Sequence, residues 1–527
     1  MRDKKIYVRP AEFRANPSGG RFVKIHTEGK GIGVFKTLFV GFLVLIQLAL
    51  MLLLFLGVSN SFYWYQLVAL ILSLLCCIHV LSSEKTGQTK TVWVLFLIAF
   101  FYFGFIFYLL SSEYIFFAKA KRRYAAVFSR TAQYVPEYPA LNNVSKQVER
   151  DCAYLKNAGG FTAYTNSRLK YFPSGAQLFD DVLPALEKAE KFIFIEFFII
   201  SDGILLNKFY EILAEKAARG ADVRIICDGM GSHGTLSYKT RKKFKKAGIK
   251  LHFFNRIVPH FTFALNLRDH RKIIVIDGKT AYTGGCNLAD EYVNQKRMHG
   301  YWKDTGLKIE GDAVQGLALT FLRQWEFICG VAEDYSPYLK AFPAEGNSAV
   351  VPYAGGKEYN RAICKGVYEN IIAGAKEKLY IMTPYFVPDE DTANLLAQKA
   401  LSGVDVRIIL PAVPDKAYVY RVTVDNAERL LSSGVKVCKM RHSFVHSKLI
   451  LSENCAVVGS VNIDLRSYYN QFENAVYFND AEAMREVLCD FENTFKACDA
   501  VTEENSARNK LIPRICAGVL RIFSQLM

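Results

Sequence analysis

Zinc-site spacing is missing from this sequence: twelve cysteines run from Cys76 to Cys516 with no repeated Cys-x-x-Cys pair and no Cys-x-x-Cys/His-x-x-x-His grouping. That pattern argues against a structural zinc module and against a disulfide scaffold, so the thiols read as reduced packing residues. Acidic residues are in deficit, with 50 Asp and Glu against 66 Lys and Arg and a formal net charge of +16. Such an excess suits an anionic partner, either nucleic acid or an acidic lipid surface. Charged residues make up only 22% of the 527 positions and hydrophobic ones 51%, which excludes a disordered chain and is too apolar for an ordinary soluble enzyme. The length allows about three domains or one doubled fold.

What is present first is apolar length. Three stretches, Thr37 to Val58, Phe62 to Leu81 and Thr91 to Leu110, are each long enough to cross about 30 Å of hydrocarbon. The first begins after 36 largely polar residues, so the sequence predicts membrane anchors rather than a cleaved leader. Phe62, Tyr63, Trp64 and Tyr65 form an aromatic cluster suited to the membrane interface. Nine Lys and Arg between Arg2 and Lys36 favour an inside amino terminus, and Lys119, Lys121, Arg122 and Arg123 favour the inside after the third stretch. Three full crossings cannot satisfy both, which leaves one stretch re-entrant or interfacial, or the second cluster bound to acidic headgroups.

From about Phe161 the pattern changes to short apolar runs alternating with helical periodicity, the mark of βαβ units. Lys191-Phe-Ile-Phe-Ile-Glu196 reads as a buried strand, Asn207 to Gly220 as an amphipathic helix and Val223-Arg-Ile-Ile-Cys-Asp228 as the next strand. The order recurs in Lys378-Leu-Tyr-Ile-Met-Thr383, Asp391 to Ser402, and Val406-Arg-Ile-Ile-Leu410. Arg219-Gly-Ala-Asp-Val-Arg224 parallels Ser402-Gly-Val-Asp-Val-Arg407, so the two halves read as copies, with Asp222 and Asp405 expected to cap turns.

The copies carry matching chemistry. His270-Arg-Lys272-Ile-Ile-Val-Ile-Asp277 precedes Gly284-Gly285-Cys286-Asn287, and His446-Ser-Lys448-Leu-Ile-Leu-Ser-Glu453 precedes Gly459-Ser460-Val461-Asn462. Histidine and lysine two positions apart in a strand leave by the same face, so each half offers an imidazole and an ammonium together. Facing halves would surround a phosphoryl group, one imidazole attacking phosphorus and the other protonating the leaving oxygen. Lys272, Lys448, Asn287 and Asn462 would stabilise the non-bridging oxygens, and neither a metal nor a cofactor is required.

These paired motifs resemble the phospholipase D superfamily and, within it, the bacterial cardiolipin synthase family. The closer resemblance rests on Asn266-Leu-Arg-Asp-His-Arg-Lys272, Tyr301-Trp-Lys-Asp-Thr305, Ile309-Glu-Gly-Asp-Ala313, Thr383-Pro-Tyr-Phe386, Asn462-Ile-Asp-Leu-Arg-Ser467 and Gln471-Phe-Glu-Asn-Ala475. It implies a multi-pass protein of a bacterial cell membrane, with an α/β fold: transmembrane helices followed by two duplicated α/β/α sandwich halves sharing one active site. The expected organisation is a basic cytoplasmic segment 1–36, an anchor 37–111, a linker 112–160, halves 161–345 and 346–505, and an amphipathic tail 506–527. The implied reaction joins two phosphatidylglycerol molecules into cardiolipin and glycerol through a phosphohistidine.

The resemblance assigns His270, Lys272, Asp277, His446, Lys448 and Glu453 to the catalytic motifs, with His270 as nucleophile and His446 as general acid and later base, an assignment open to reversal. It nominates Glu473 to orient His270 and Asp304 to orient His446 across the halves. Glu453 stands where the family usually has Asp; this acid is expected to be structural more than chemical. Three apolar stretches stand where the family usually has two.

Other residues carry plainer expectations. His252, His260 and His442 read as rim or packing residues, and Arg241-Lys-Lys-Phe-Lys-Lys246 as a solvated helix face or an acidic-lipid contact. The tail from Lys510 to Met527 packs on the domain or lies in the membrane interface. Competing functions are a hydrolytic phospholipase D, a phosphatidyltransferase with another acceptor alcohol, a nuclease of the superfamily, and a catalytically decayed membrane scaffold. The apolar stretches and sparse aromatic-basic interleaving disfavour nucleic acid, and both intact His-x-Lys pairs disfavour decay.

Overall fold

The protein is described by a computed structural model over residues 62–83, 87–111, 113–141, 144–256 and 267–522. The basic segment 1–36, the first apolar stretch and His260 lie outside the described residues. Two compact units divide within the helix Glu113–Thr131, between Arg122 and Arg123.

In the first unit the second apolar stretch forms α1 (Phe62–Ser82), about 31 Å long at 1.5 Å per residue. It is the one described helix long and apolar enough to cross a membrane. The third stretch departs from a straight span. It forms α2 (Gly87–Ala99) and α3 (Phe101–Ser111), and the chain reverses around Phe100. Trp93 and Tyr108 approach to 4.9 Å between ring centroids and Phe96 and Phe107 to 5.2 Å. Residues 15 apart in one straight helix would be about 22 Å apart. Gly104 permits the close approach, since a Cβ there would lie 3.3 Å from the Leu97 Cα. Neither arm, at about 20 Å or less, spans hydrocarbon alone. Both pack on α1, where Ser73 Oγ donates to the Leu97 carbonyl at 2.8 Å and Tyr65 stacks on Tyr102.

The second unit begins on α4 (Glu113–Thr131), followed by α5 (Lys146–Gly159). The segment expected as a linker is therefore largely helical, and α5 buries Val148, Cys152 and Leu155 in the core of the second lobe.

The first lobe holds β1 (Ser167–Phe172), α6 (Gly175–Glu187), β2 (Phe192–Phe197), α7 (Ile204–Ala218), β3 (Asp222–Asp228), α8 (Tyr238–Lys246), β4 (Lys250–Phe254), β5 (Lys272–Ile276), β6 (Thr280–Gly284), β7 (Tyr301–Lys303), β8 (Gly306–Gly311) and α9 (Val314–Cys329). The second holds β9 (Val350–Gly355), α10 (Ile363–Gly374), β10 (Lys378–Met382), β11 (Phe386–Val387), α11 (Glu390–Leu401), β12 (Asp405–Pro411), α12 (Ala417–Glu428), β13 (Lys436–Met440), β14 (Ser443–Val445), β15 (Leu449–Ser452), β16 (Ala456–Gly459), β17 (Ile463–Asp464), α13 (Leu465–Tyr469), β18 (Glu473–Phe478), α14 (Ala481–Lys496) and β19 (Cys498–Val501). A last helix, α15 (Leu511–Ile522), leaves Leu511, Ile512, Ile515 and Val519 exposed.

The sheets repeat one another strand for strand. The first has the order β1-β8-β6-β5-β2-β3-β4, and the second, read from its far edge, β9-β18-β16-β15-β10-β12-β13, with β19 added outside. Both lobes build parallel β-helix-β crossovers, β2-α7-β3 and β10-α11-β12, so the central strands are buried on both faces and read as continuous apolar runs. Asp222 and Asp405, expected to cap turns, instead engage charged side chains. Each binds the arginine two residues on and the lysine of the neighbouring strand: Arg224 and Lys250 at 2.8 and 2.7 Å, Arg407 and Lys436 at 2.7 and 2.8 Å.

The hairpin makes a prediction about topology. In a cysteine-free background, single cysteines at Thr89 and Ser111 are expected to be labelled by an impermeant thiol reagent from the same side of the membrane; labelling from opposite sides would contradict the reversal at Phe100.

Candidate active site

Two strand exchanges between lobes build the site. β7 of the first lobe pairs in parallel with β14 of the second, and Asp269 bridges to Phe472. The backbone N–H of His446 donates to the Lys303 carbonyl at 2.7 Å, and that of His270 to the Phe472 carbonyl at 2.8 Å. Each histidine is thereby fixed beside the residue preceding an acid of the opposite lobe. Asp304 Oδ2 sits 2.7 Å from His446 Nδ1, and Glu473 Oε1 and Oε2 sit 3.0 and 2.9 Å from His270 Nδ1. A carboxylate on Nδ1 fixes the tautomer and leaves Nε2 as the reactive nitrogen.

The lysines close the arrangement. Lys272 Nζ donates to the His270 carbonyl and Lys448 Nζ to the His446 carbonyl, so each ammonium is pinned behind its own imidazole. Both are about 1% exposed. Burial drives Lys272 down to about 7 and Lys448 down to about 8, against the pull of Glu473 and Asp304. Burial also pushes His446 down to about 3 and His270 well below the usual imidazole range. The two centres share one field, since Lys448 depresses His270 and Lys272 depresses His446. Glu473 is raised to about 7, chiefly by burial. At neutral pH the resting imidazoles are therefore uncharged, as a nucleophile requires.

Ser460 and Asn474 hold this geometry without having been assigned roles from the sequence. Ser460 Oγ donates to Glu473, and Asn474 Oδ1 accepts from the Lys272 amide at 2.9 Å. Asn474 Nδ2 donates to Thr283 Oγ1 at 2.7 Å, whose own hydroxyl donates to the Lys272 carbonyl at 2.8 Å. Asn474 lies inside a motif already noted, but only the folded chain shows that it ties the second lobe to the first lysine. Gly285, the counterpart of Ser460, is required by space: a Cβ there would lie 2.1 Å from Asp304 Oδ1.

Not every expected site residue joins this cluster. Asp277 lies at the far end of β5 from His270, where its carboxylate accepts the amides of Glu190, Lys191 and Phe192 at 2.7–2.8 Å. Glu453 plays the same part beyond β15, accepting from Lys376 at 2.8 Å and from Glu377 and Lys378 at 3.4 Å. Both acids clamp the start of the central strand rather than reach the reacting centre, and the longer Glu453 side chain keeps that function with two looser bonds. Asn287 is engaged within its own lobe. Its Oδ1 accepts from Ile199 N at 3.0 Å and its Nδ2 donates to Tyr292 Oη at 2.6 Å, which holds the Tyr292 ring 5.3 Å from that of His446. Asn462 differs, for its Oδ1 is buried without a partner among the described residues. His252 packs edge-on against Trp325, and His442 adopts a left-handed φ of 51° at a turn, both outside the site.

The chain matches the family model described as "Cardiolipin synthase, PLD-like domain" over residues 182–304 and 368–495, one match per lobe. A probable cardiolipin synthase of Bacillus subtilis is 31% identical over 480 residues, covering 90% of this chain and 96% of that protein. The chain belongs to the cardiolipin synthase family. Other members are similar over comparable lengths: a cardiolipin synthase of Listeria welshimeri at 32% identity, covering 87% of this chain and 98% of its own, and cardiolipin synthase 2 of Bacillus cereus at 30%, covering 86% and 90%. Residues 71–112 match a phospholipase D-nuclease N-terminal model, the region that holds most of α1 and the hairpin. A phosphatidylserine synthase from Haemophilus influenzae shares the fold at 16% identity, with a TM-score of 0.53 over 72% of this chain and 98% of that one. In this cardiolipin synthase family member both His-x-Lys pairs and both cross-lobe acids are in place.

The backbone role of Asp277 makes a stability prediction. Asp277→Ala removes three amide bonds to a buried charged acceptor and is expected to cost about 2–4 kcal/mol, read as a lower denaturant midpoint. Glu453→Asp is expected to leave activity within about twofold, because the clamp survives either side-chain length.

Proposed function

We propose that this phosphatidyltransferase makes cardiolipin and glycerol from two phosphatidylglycerol molecules through a phosphohistidine on His270. The reading is carried by the crossed pairs, His270 with Glu473 and His446 with Asp304, around two shared lysines. In the first half-reaction the lone pair on His270 Nε2 forms a bond to phosphorus as the bond from phosphorus to the glycerol oxygen breaks. His446 Nε2–H gives its proton to that oxygen, and glycerol leaves. In the second, the terminal hydroxyl of another phosphatidylglycerol attacks phosphorus, its proton passes to His446 and the bond to His270 Nε2 breaks. Glu473 and Asp304 stabilise the imidazolium forms as they arise.

Electrostatics supports the division of labour. Two neutral imidazoles supply a nucleophile but no acid. The phosphodiester brings negative charge beside His446 and offsets the two ammoniums that depress it, so substrate entry favours the protonated acid. Lys272, Lys448 and Asn462 donate to the non-bridging oxygens, where charge grows in the transition state.

The anchor fits the same scheme. A multi-pass anchor is read from the apolar length of Thr37 to Val58 in the sequence together with α1, and treating the α2-α3 hairpin as re-entrant leaves an even number of crossings. That arrangement satisfies both clusters of positive charge.

Purified protein in detergent with phosphatidylglycerol and no added divalent metal is expected to release glycerol and form cardiolipin. Phosphatidic acid as the sole lipid product would instead identify a hydrolase. His270→Ala and His446→Ala are each expected to reduce turnover by about 10³-fold or more. Acid-labile phosphorylation should be detectable on His446→Ala after slow reaction and absent from His270→Ala; the opposite result would reverse the two roles.

Lys272→Met supplies a test of the field. Removing the ammonium raises the imidazole pKa values, so the acid limb of the residual rate is expected to move to higher pH, as measured by a pH-rate profile. An unmoved limb would detach the lysine from the protonation state of the histidines.

A further inference from the structure

Joining two phosphatidylglycerols poses a problem that the reaction centre does not solve. The attacked phosphate is one anion, and the acceptor carries a second phosphodiester at the other end of the glycerol whose hydroxyl attacks. A site that only bound the first would treat water, free glycerol and phosphatidylglycerol alike as acceptors.

Arg466, on the segment that leads into Glu473, is the cation that could hold such a second anion. It sits in α13, four residues beyond Asn462 and seven before Glu473, and its backbone carbonyl accepts from the Asn470 and Gln471 amides at 2.8 and 2.9 Å. Those contacts turn the chain so that Phe472 N donates to the Arg268 carbonyl at 2.9 Å, beside the Phe472 carbonyl that receives His270 N–H. The Arg466 side chain is half-buried, its Nε is fully buried without a partner, and its guanidinium makes no ion pair among the described residues. Burial raises the Asp464 carboxyl and the field of Arg466 draws it downward, but with no direct ion pair among the described residues the guanidinium keeps donors open to an arriving anion. Its field reaches the reaction centre: behind burial and the two lysines, Arg466 contributes to holding His270 uncharged.

The duplication sharpens the point. Aligning Asn287 with Asn462 places Glu291 of the first lobe at the position of Arg466, with a short helical turn after the asparagine in both lobes. The lobes match in histidine, lysine and orienting acid but differ in charge sign here. A pseudo-symmetric transferase must tell donor from acceptor, and the two lobes differ in charge at this position.

We propose that Arg466 forms a subsite for the phosphodiester of the acceptor lipid, selecting an anionic alcohol over water and free glycerol once the phosphatidyl group is on the enzyme. The proposal rests on the transfer reaction above. It assigns Arg466 to binding and acceptor choice, with no part in bond making.

The test uses the full-length protein in mixed micelles and reads two products from one reaction: cardiolipin, and phosphatidylglycerol carrying labelled glycerol exchanged from solution. Free glycerol has no phosphate, so the exchange reports formation of the phosphatidyl-enzyme without an anionic acceptor. In Arg466→Gln the ratio of cardiolipin to exchanged glycerol is expected to fall roughly tenfold to a hundredfold, the loss of one charge-assisted contact, with a raised KM for the acceptor. Arg466→Lys should recover part of the ratio. If both products fall by the same factor, or if the ratio is unchanged, the subsite is overturned while the transfer mechanism stands. Wild-type protein that neither forms cardiolipin nor exchanges glycerol would overturn the underlying reaction and the subsite with it.

Discussion

Each imidazole of the site is oriented by a carboxylate that the other lobe supplies, and this exchange is the constraint on which the remaining structure depends. Burying two histidines, two lysines and two acids in one cavity carries a large desolvation cost, offset only if every polar atom is held in place. The exchanged segments do this with backbone. β7 lies beside β14 and Asp269 beside Phe472, so the peptide N–H of each histidine is bonded one residue away from the acid that its ring must meet. A lobe folded alone would have a histidine without an acid and an acid without a histidine. The duplication therefore has a chemical reason: one copy cannot make a competent half-site.

The lobes are copies in topology but not in detail, and the differences follow the lengths of their acids. Asp304 packs so tightly against Gly285 that no side chain fits there. Glu473 is one methylene longer, and its partner position carries Ser460, whose hydroxyl holds it. Shape and hydrogen bonding have been adjusted separately in each half to place an imidazole at one centre. The same tolerance explains Glu453, where a longer acid still clamps the amides leading into the central strand.

Much of this was legible before the fold was known, because spacing survives folding. His270 with Lys272 and His446 with Lys448 announced two equivalent half-sites, and the recurring strand-helix-strand pattern announced two equivalent sheets. The cross-lobe acids were available through resemblance, since no local pattern ties Glu473 to a histidine 203 positions away. Other features were illegible for definite reasons. Asp277 and Asn287 belong to the motifs, yet the amides and hydroxyl that engage them come from Glu190 to Phe192, Ile199 and Tyr292, and motif spacing says nothing of those partners. Hydropathy counted 20 apolar residues from Thr91 to Leu110, but it measures what lipid tolerates and is blind to a reversal of the backbone at Phe100.

The helix that follows the hairpin shows why the catalytic unit needs more than its two sheets. The second half of α4 brings Tyr124 into the core behind the first histidine, 4% exposed, with its ring 3.7 Å from that of Phe327 and 5.7 Å from that of Phe472. Tyr124 Oη donates to Gln324 at 2.8 Å, and Gln324 Nε2 donates to Asp269 at 3.3 Å. Asp269 and Phe472 are the residues just before His270 and Glu473, so one tyrosine backs both members of that pair. Aromatic packing and a hydrogen bond from a rigid helix resist the small displacements that would lengthen the contact between imidazole and carboxylate. The second pair has a different wall, built from Tyr292, Trp302 and Phe444 around the His446 ring. Two equivalent half-sites are thus braced by unrelated means, as expected if the geometry of the pair is the selected quantity and the packing behind it is free to vary.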